Sequence, residues 1–376
     1  MRTLSVVRIL IAGLVVGSPA WADTGGAGPI TEYAPFPIPA SFSCEVKYDL
    51  QGNIWSDQFT GDALGEVNPV TGVVSEVLLP NPGAAPGGME RAADGNIYFV
   101  EVAGNAIGVL NPETRTITTY PFPWANAEIG GLPVTGLPGI NSGLGVPFDL
   151  TTGADGAIWF TMVGLNAIGR FDITTHAYQM WPVPSPVSGL IAIEPGPNDT
   201  VAFAEGTANK IGLINVYTHQ ITEYPIPTPA SLPAGLTTSP DGKTVWFGET
   251  LGQKLGALDP ATGKITEYDL LALRQPGSGI PLLDGSLGDP LPSPGQLAFA
   301  SDGKLYIMEG TFDAGYQVGQ FDPNTHIFNE LVTPTPLSSP CDLNTDKPGT
   351  VIFGEFTGNR IGSFSIPDLG VVPFPL

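Results

Sequence analysis

The chain has 376 residues, with 14 Lys and Arg against 36 Asp and Glu, a formal charge of −22; a field of that sign repels nucleic acid and anionic membrane. Glycine (49) and proline (39) make up nearly a quarter of it while hydrophobic residues still reach 42%, which argues against a helical bundle and against disorder and fits a turn-rich all-β chain. No stretch beyond the first 22 residues approaches the roughly 20 apolar residues of a spanning helix, so neither nucleic acid nor membrane is an expected partner.

In chain order, Arg2 and Arg8, an apolar run from Ile9 to Val16 and the small-x-small triplet Ala20-Trp21-Ala22 read as a secretory signal over 1–22. The mature chain then starts near Asp23 with 12 bases against 36 acids, and the expected location is outside the cell or in the secretory lumen. Residues 23–376 read as a single domain. Ile30-Thr31-Glu32-Tyr33 resembles an outer strand with no blade of its own, and either it or Val371–Pro375 completes the last blade.

One phrase then returns seven times: IWSDQ from Ile54, IYFVE from Ile97, IWFTM from Ile158, VAFAE from Val201, VWFGE from Val245, LYIME from Leu305 and VIFGE from Val351. The spacings are 43, 61, 43, 44, 60 and 46 residues, close to the ~40–45 of a four-stranded propeller blade. A third strand follows each copy as an apolar residue and glycine, for example Ile107-Gly108 and Leu255-Gly256. A lone blade cannot bury its two faces, so the seven must close into a ring, a seven-bladed β-propeller of four-stranded blades. The two long spacings mark insertions at 124–146 and 271–293, apolar and rich in Gly and Pro, on the face where the blades connect. Loops of that length in a compact repeat protein are usually functional.

Residue types shared by most blades build the scaffold, and a blade that departs is a candidate for function. His176, His219 and His326 all occupy the hairpin turn after the third strand, a place for left-handed backbone rather than for catalysis. Glu101, Glu205, Glu249, Glu309 and Glu355 close the second strand in five blades and read as structural; Gln58 and Met162 are the exceptions. Asn198-Asp199-Thr200 is a glycosylation sequon at Asn198.

The opening residues of the innermost strands face the channel mouth. They read Cys44-Glu45-Val46, Gly87-Gly88-Met89, Phe148-Asp149-Leu150, Ser188-Gly189-Leu190, Ala234-Gly235-Leu236, Gly295-Gln296-Leu297 and Cys341-Asp342-Leu343. Glu45, Asp149, Gln296 and Asp342 stand where blades two, four and five carry glycine, and Lys47, Tyr48, Glu90 and Arg91 lie deeper. Cys44 and Cys341, the only cysteines, each precede the next strand by ten residues, and the ring makes their blades neighbours. A disulfide clasping the ring is therefore expected.

The phrase Asp241-Gly242-Lys243-Thr244-Val245-Trp246-Phe247-Gly248-Glu249, followed by Leu255-Gly256 and Ile265-Thr266-Glu267-Tyr268, resembles the blade signature of the streptogramin B lyase (virginiamycin B lyase) family along nearly the whole mature chain. That resemblance implies ester cleavage by elimination with a magnesium ion and a histidine-bearing channel, some blades opening as Pro-His-Gly. The matching positions here hold Ala234, Cys341 or Gly87. Secreted fungal-type propellers that act as hetero-Diels–Alderases are similar in signal, length and apolar mouth loops.

The leading expectation is a secreted enzyme that tailors hydrophobic natural-product intermediates without hydrolysis, of cyclising or pericyclase type, monomeric and with no required cofactor. Lys47, Tyr48 or Arg91 would donate the polarising hydrogen bond. Trp124, Phe148 and Met162 would pack on the substrate, with Glu45, Asp149, Gln296 and Asp342 around it. One alternative is a C–O lyase in which Glu45, Asp149 and Asp342 hold a magnesium or calcium ion; another is a non-catalytic small-molecule-binding or wall-associated propeller.

Overall fold

The repeated second strand is apolar in succession rather than in alternation, and copies such as Ile158–Met162 and Val245–Glu249 are buried along their whole length, as a strand covered on both faces must be. In the computed structural model each copy lies inside a four-stranded antiparallel sheet. The structure describes residues 30–123, 145–274, 292–309 and 317–366, with the backbone of 128–129, 132–133, 280–281 and 287–288. The signal segment 1–22, Trp124 and Val371–Pro375 lie outside the described residues.

Seven such sheets form the ring. Their inner strands, Val46–Tyr48, Pro86–Arg91, Pro147–Thr152, Leu190–Gly196, Pro233–Thr238, Pro294–Phe299 and Pro340–Asn344, neighbour one another in turn, and the last returns to the first. Apolar residues from adjacent blades fill each interface, so the core is a set of wedges between blades rather than one centre. The glycine of the third strand leaves space for the phenyl ring of its own second strand: a Cβ on Gly108, Gly169 or Gly256 would overlap Phe99, Phe160 or Phe247. Blade one has Ser56 in place of that phenylalanine, and Phe36, from the segment before the blade, fills the space beside Gly65.

Closure uses both edges of the seam between blades seven and one. Thr31–Glu32 pairs antiparallel with Arg360–Ser365 as the outer strand of blade seven, so the N-terminal segment completes that blade. At the inner edge Cys44 and Cys341 form the expected disulfide, with Cα atoms 5.1 Å apart. Between them Asn359 accepts from the Ser41 hydroxyl and donates to the Ile38 carbonyl at 2.9 Å.

The three histidines sit at φ of 58 to 60° in their hairpin turns, and each packs against an aromatic ring of the preceding blade. His219 lies 4.1 Å from Trp181 and His176 4.4 Å from Tyr120. The second insertion begins as a short helix, Leu270–Leu273, capped by Asp269, whose carboxylate accepts from Ala272 N at 3.0 Å.

The register corrects one reading. In blade four Ile193 pairs with Phe203 as Met89 pairs with Phe99 and Leu236 with Phe247. The opening triplet is therefore Ile191-Ala192-Ile193, three residues later than Ser188-Gly189-Leu190, and the next residue toward the channel is Glu194.

Candidate functional site

Inner strands open with a bulge in six blades, and the residue before the apolar anchor then turns to the channel or to the next blade. Asp342 accepts from Val46 N at 3.2 Å, and Asp149 from Ile193 N at 2.9 Å. In each case a carboxylate of one blade holds the inner strand of the next. Gly88 and Gly235 are glycine because Asp149 and Gln296 press on them: a Cβ at either position would overlap the neighbour's Cα. In blade one Asp57 accepts from both Cys44 N (2.9 Å) and Glu45 N (2.7 Å), which fixes the strand that carries the disulfide and Glu45.

Six blades then contribute polar groups to one level. Lys47 Nζ lies 3.9 Å from Glu90 and 4.0 Å from Asp342, with Glu45 and Glu194 close enough to interact with its charge. Gln296 donates to Glu194 at 3.2 Å, bridging blade six to blade four past the small residues of blade five. One ammonium thus faces five carboxyl groups: Glu45, Glu90, Asp149, Glu194 and Asp342.

Burial sets their protonation. It pushes Glu45 and Glu194 well above the usual carboxylate range; Asp342 and Asp149 add to the shift of Glu45, while Lys47 opposes that of Glu194. Glu90 is raised to about 7 by burial against the pull of Lys47, and Asp149 to about 7 by burial against its hydrogen bond from Ile193. Burial alone would lower Lys47, but Asp342, Glu90, Glu45 and Glu194 outweigh it and keep the ammonium charged. The throat therefore combines a fixed cation with two carboxyl groups, Glu90 and Asp149, that burial pushes to about 7, the range suited to general acids and bases.

Other expected site residues lie elsewhere. Tyr48 is packed between blades seven and one with Phe36, Val46 and Ile352, so it is part of the core rather than a channel donor. Met162 is fully buried in the wedge between blades two and three and does not reach the mouth. Arg91 ends its strand on the side away from the mouth, 3.9 Å from Asp346. Phe148 is exposed at the opening of blade three, on the face that also exposes Val146, Val187, Leu251 and Leu337, giving an apolar rim above a charged throat. Among the described residues no three His, Cys, Asp or Glu side chains are arranged to hold a metal ion, so Glu45, Asp149 and Asp342 do not fit as a magnesium or calcium set. Glu194 and Asp57 were not singled out from sequence; the ten-residue interval before the second strand would have led to the first, and the acid in an otherwise uncharged slot to the second.

The comparisons agree with this fold. Residues 137–280 match the Virginiamycin B lyase family. Virginiamycin B lyase from Staphylococcus aureus superposes with a TM-score of 0.73 at 24% identity, over 90% of this chain and 99% of that one. A catalytically inactive histidine-to-alanine form of the enzyme with quinupristin gives 0.72 at 24% over 90% and 99%, and a streptogramin B lyase gives 0.72 at 25% over 90% and 98%. No curated protein matches. U3-55K shares the ring with a TM-score of 0.65 at 7% identity, so the ring by itself assigns no activity. The family match falls on blades three to five, and across the ring as a whole the chain is a seven-bladed β-propeller similar in fold to the virginiamycin B lyases.

Proposed function

We propose that the protein is a lyase-type enzyme that eliminates across a C–O bond of a small, largely apolar ester, with Lys47 and Glu90 at the reacting centre. The observation that carries the reading is the pairing of a charged lysine, 3.9 Å away, with a glutamate whose carboxyl titrates at about 7. Glu90 as carboxylate takes the proton next to the ester-bearing carbon, and that electron pair forms the C=C bond as the C–O bond breaks. The departing carboxylate keeps its own pair, and no water is consumed. Lys47 stabilises the negative charge that develops on the neighbouring carbonyl oxygen. Asp342 holds Lys47 and the Gln296–Glu194 bridge closes the far side, while Phe148 and the apolar rim receive the body of the substrate.

The family match and the likeness to virginiamycin B lyases favour elimination over the cyclising reaction expected from the mouth loops. The magnesium-and-histidine version of the chemistry lacks its groups among the described residues, since all three histidines lie in outer hairpin turns. Quinupristin, the compound held by the inactive relative, is the first substrate to try. Incubation followed by mass spectrometry should give a linear product of unchanged mass, equally with and without EDTA. A product heavier by one water would replace elimination with hydrolysis, and activity lost on chelation would return the chemistry to a metal.

A further inference from the structure

The first turn of a blade has a repeated structural use that blade four abandons. In blades one, two, three and six an aspartate at this turn, Asp49, Asp94, Asp155 or Asp302, accepts from an indole or phenol of the following strand, at 3.0 Å (Trp55), 2.8 Å (Tyr98), 2.9 Å (Trp159) and 3.1 Å (Tyr306). Blade four has Ala202 in that aromatic slot, so nothing remains for such an acid to hold. Its turn instead carries Asn198 and Asp199, both exposed and both in left-handed backbone at φ 54° and 57° where other blades use one glycine. Asn and Asp are the non-glycine residues that enter that region most readily. Among the described residues Asn198 is bonded through its carbonyl, to the Asn215 amide at 3.5 Å, and its own side-chain amide has no partner. Thr200 completes the sequon, its hydroxyl donating to the Pro197 carbonyl at 2.6 Å. Beside Asn198 a surface groove runs between blades four and five, walled by Leu213, Thr222, Tyr224 and Pro260.

We propose that Asn198 carries an N-linked glycan whose first N-acetylglucosamine lies in this groove against Tyr224. In the transfer, Asn198 Nδ2 bonds to C1 of the sugar as the bond from C1 to a lipid-diphosphate carrier breaks; the diphosphate keeps the bonding pair and the amide proton passes to base. The groove presents a phenol ring, an aliphatic wall and the Thr222 hydroxyl, which suits the apolar face and hydroxyl edge of a hexosamine. The turn lies at the end of the blade away from the mouth, so the glycan leaves the channel open.

The test is to secrete the full chain from a eukaryotic host that adds high-mannose glycans, then treat it with endoglycosidase H, which leaves one sugar, or with peptide N-glycosidase F, which leaves none. Both digestions should increase electrophoretic mobility, and the one-sugar form should melt with the intact protein while the stripped form melts about 2 °C lower. Asn198→Gln and Thr200→Ala should both lack the mobility shift and match the stripped form. Secreted protein of unchanged mobility would overturn the site, and equal melting of the one-sugar and stripped forms would overturn the groove.

Discussion

Replacing both cysteines, Cys44→Ser with Cys341→Ser, should lower the melting temperature by roughly 5–10 °C while leaving the β-sheet signal of the folded protein unchanged. The two residues are 297 apart in sequence, so the bond closes almost the whole ring, and in the chain-entropy account a loop of that size is worth about 5 kcal/mol. The outer-edge pairing of Thr31–Glu32 with Arg360–Ser365 would remain in the variant, which keeps the loss from being total. Gly354 explains why the inner edge cannot compensate by repacking: it lies against the Cys44 carbonyl with no space even for a methyl group. An unchanged melting temperature, in the variant or in reduced wild type, would show that the outer strand alone closes the ring.

Stability should fall steadily as pH rises from 5 to 9. Burial raises Glu205 and Glu249 to about 7 and Glu355 to about 9 at the ends of the second strands. In the channel Glu90 and Asp149 are raised to about 7, and Glu45 and Glu194 are raised as well. A carboxyl group whose folded value exceeds its unfolded value of about 4 holds its proton more tightly in the folded protein. Its contribution is complete below about pH 4 and is lost as pH passes through the folded value. A glutamate moved to about 7 corresponds to on the order of 3 kcal/mol. Asp172, Asp241, Asp322, Glu223 and Glu267 are shifted downward instead, by hydrogen bonds to their carboxylates that outweigh any burial. Their contribution disappears only below about pH 4, so it does not oppose the trend. Thermal melts across this range should show a drop of about 10 °C or more; a flat or rising profile would mean that these glutamates are hydrated in the folded state.

The architecture was legible because a propeller writes its fold as repetition. Seven copies of the second strand located the blades, the recurrence of histidine in one turn removed it from the channel, and the two cysteines pointed to the seam. The polar groups of the channel were legible where a blade kept the common length, as at Glu45, Lys47, Glu90, Asp149, Gln296 and Asp342. In blade four the opening triplet was placed three residues early, at Ser188-Gly189-Leu190, because its first two strands, Leu190–Gly196 and Thr200–Glu205, are longer, and that shift concealed Glu194. Tyr48 and Met162 were misplaced for a different reason. Sequence identifies the strand position of a residue but not which side of a wedge-shaped interface receives it, and both side chains fill a wedge.

On the proposed chemistry, the reaction occurs at Lys47 and Glu90 in the throat and not at any histidine. Turnover of quinupristin by Lys47→Met, Glu90→Gln and His219→Ala, each checked for an intact fold by its melting profile, tests it most directly. The account predicts a loss of at least about 100-fold in kcat for the first two and wild-type turnover for the third. Full activity in Lys47→Met, or an inactive His219→Ala, would contradict it.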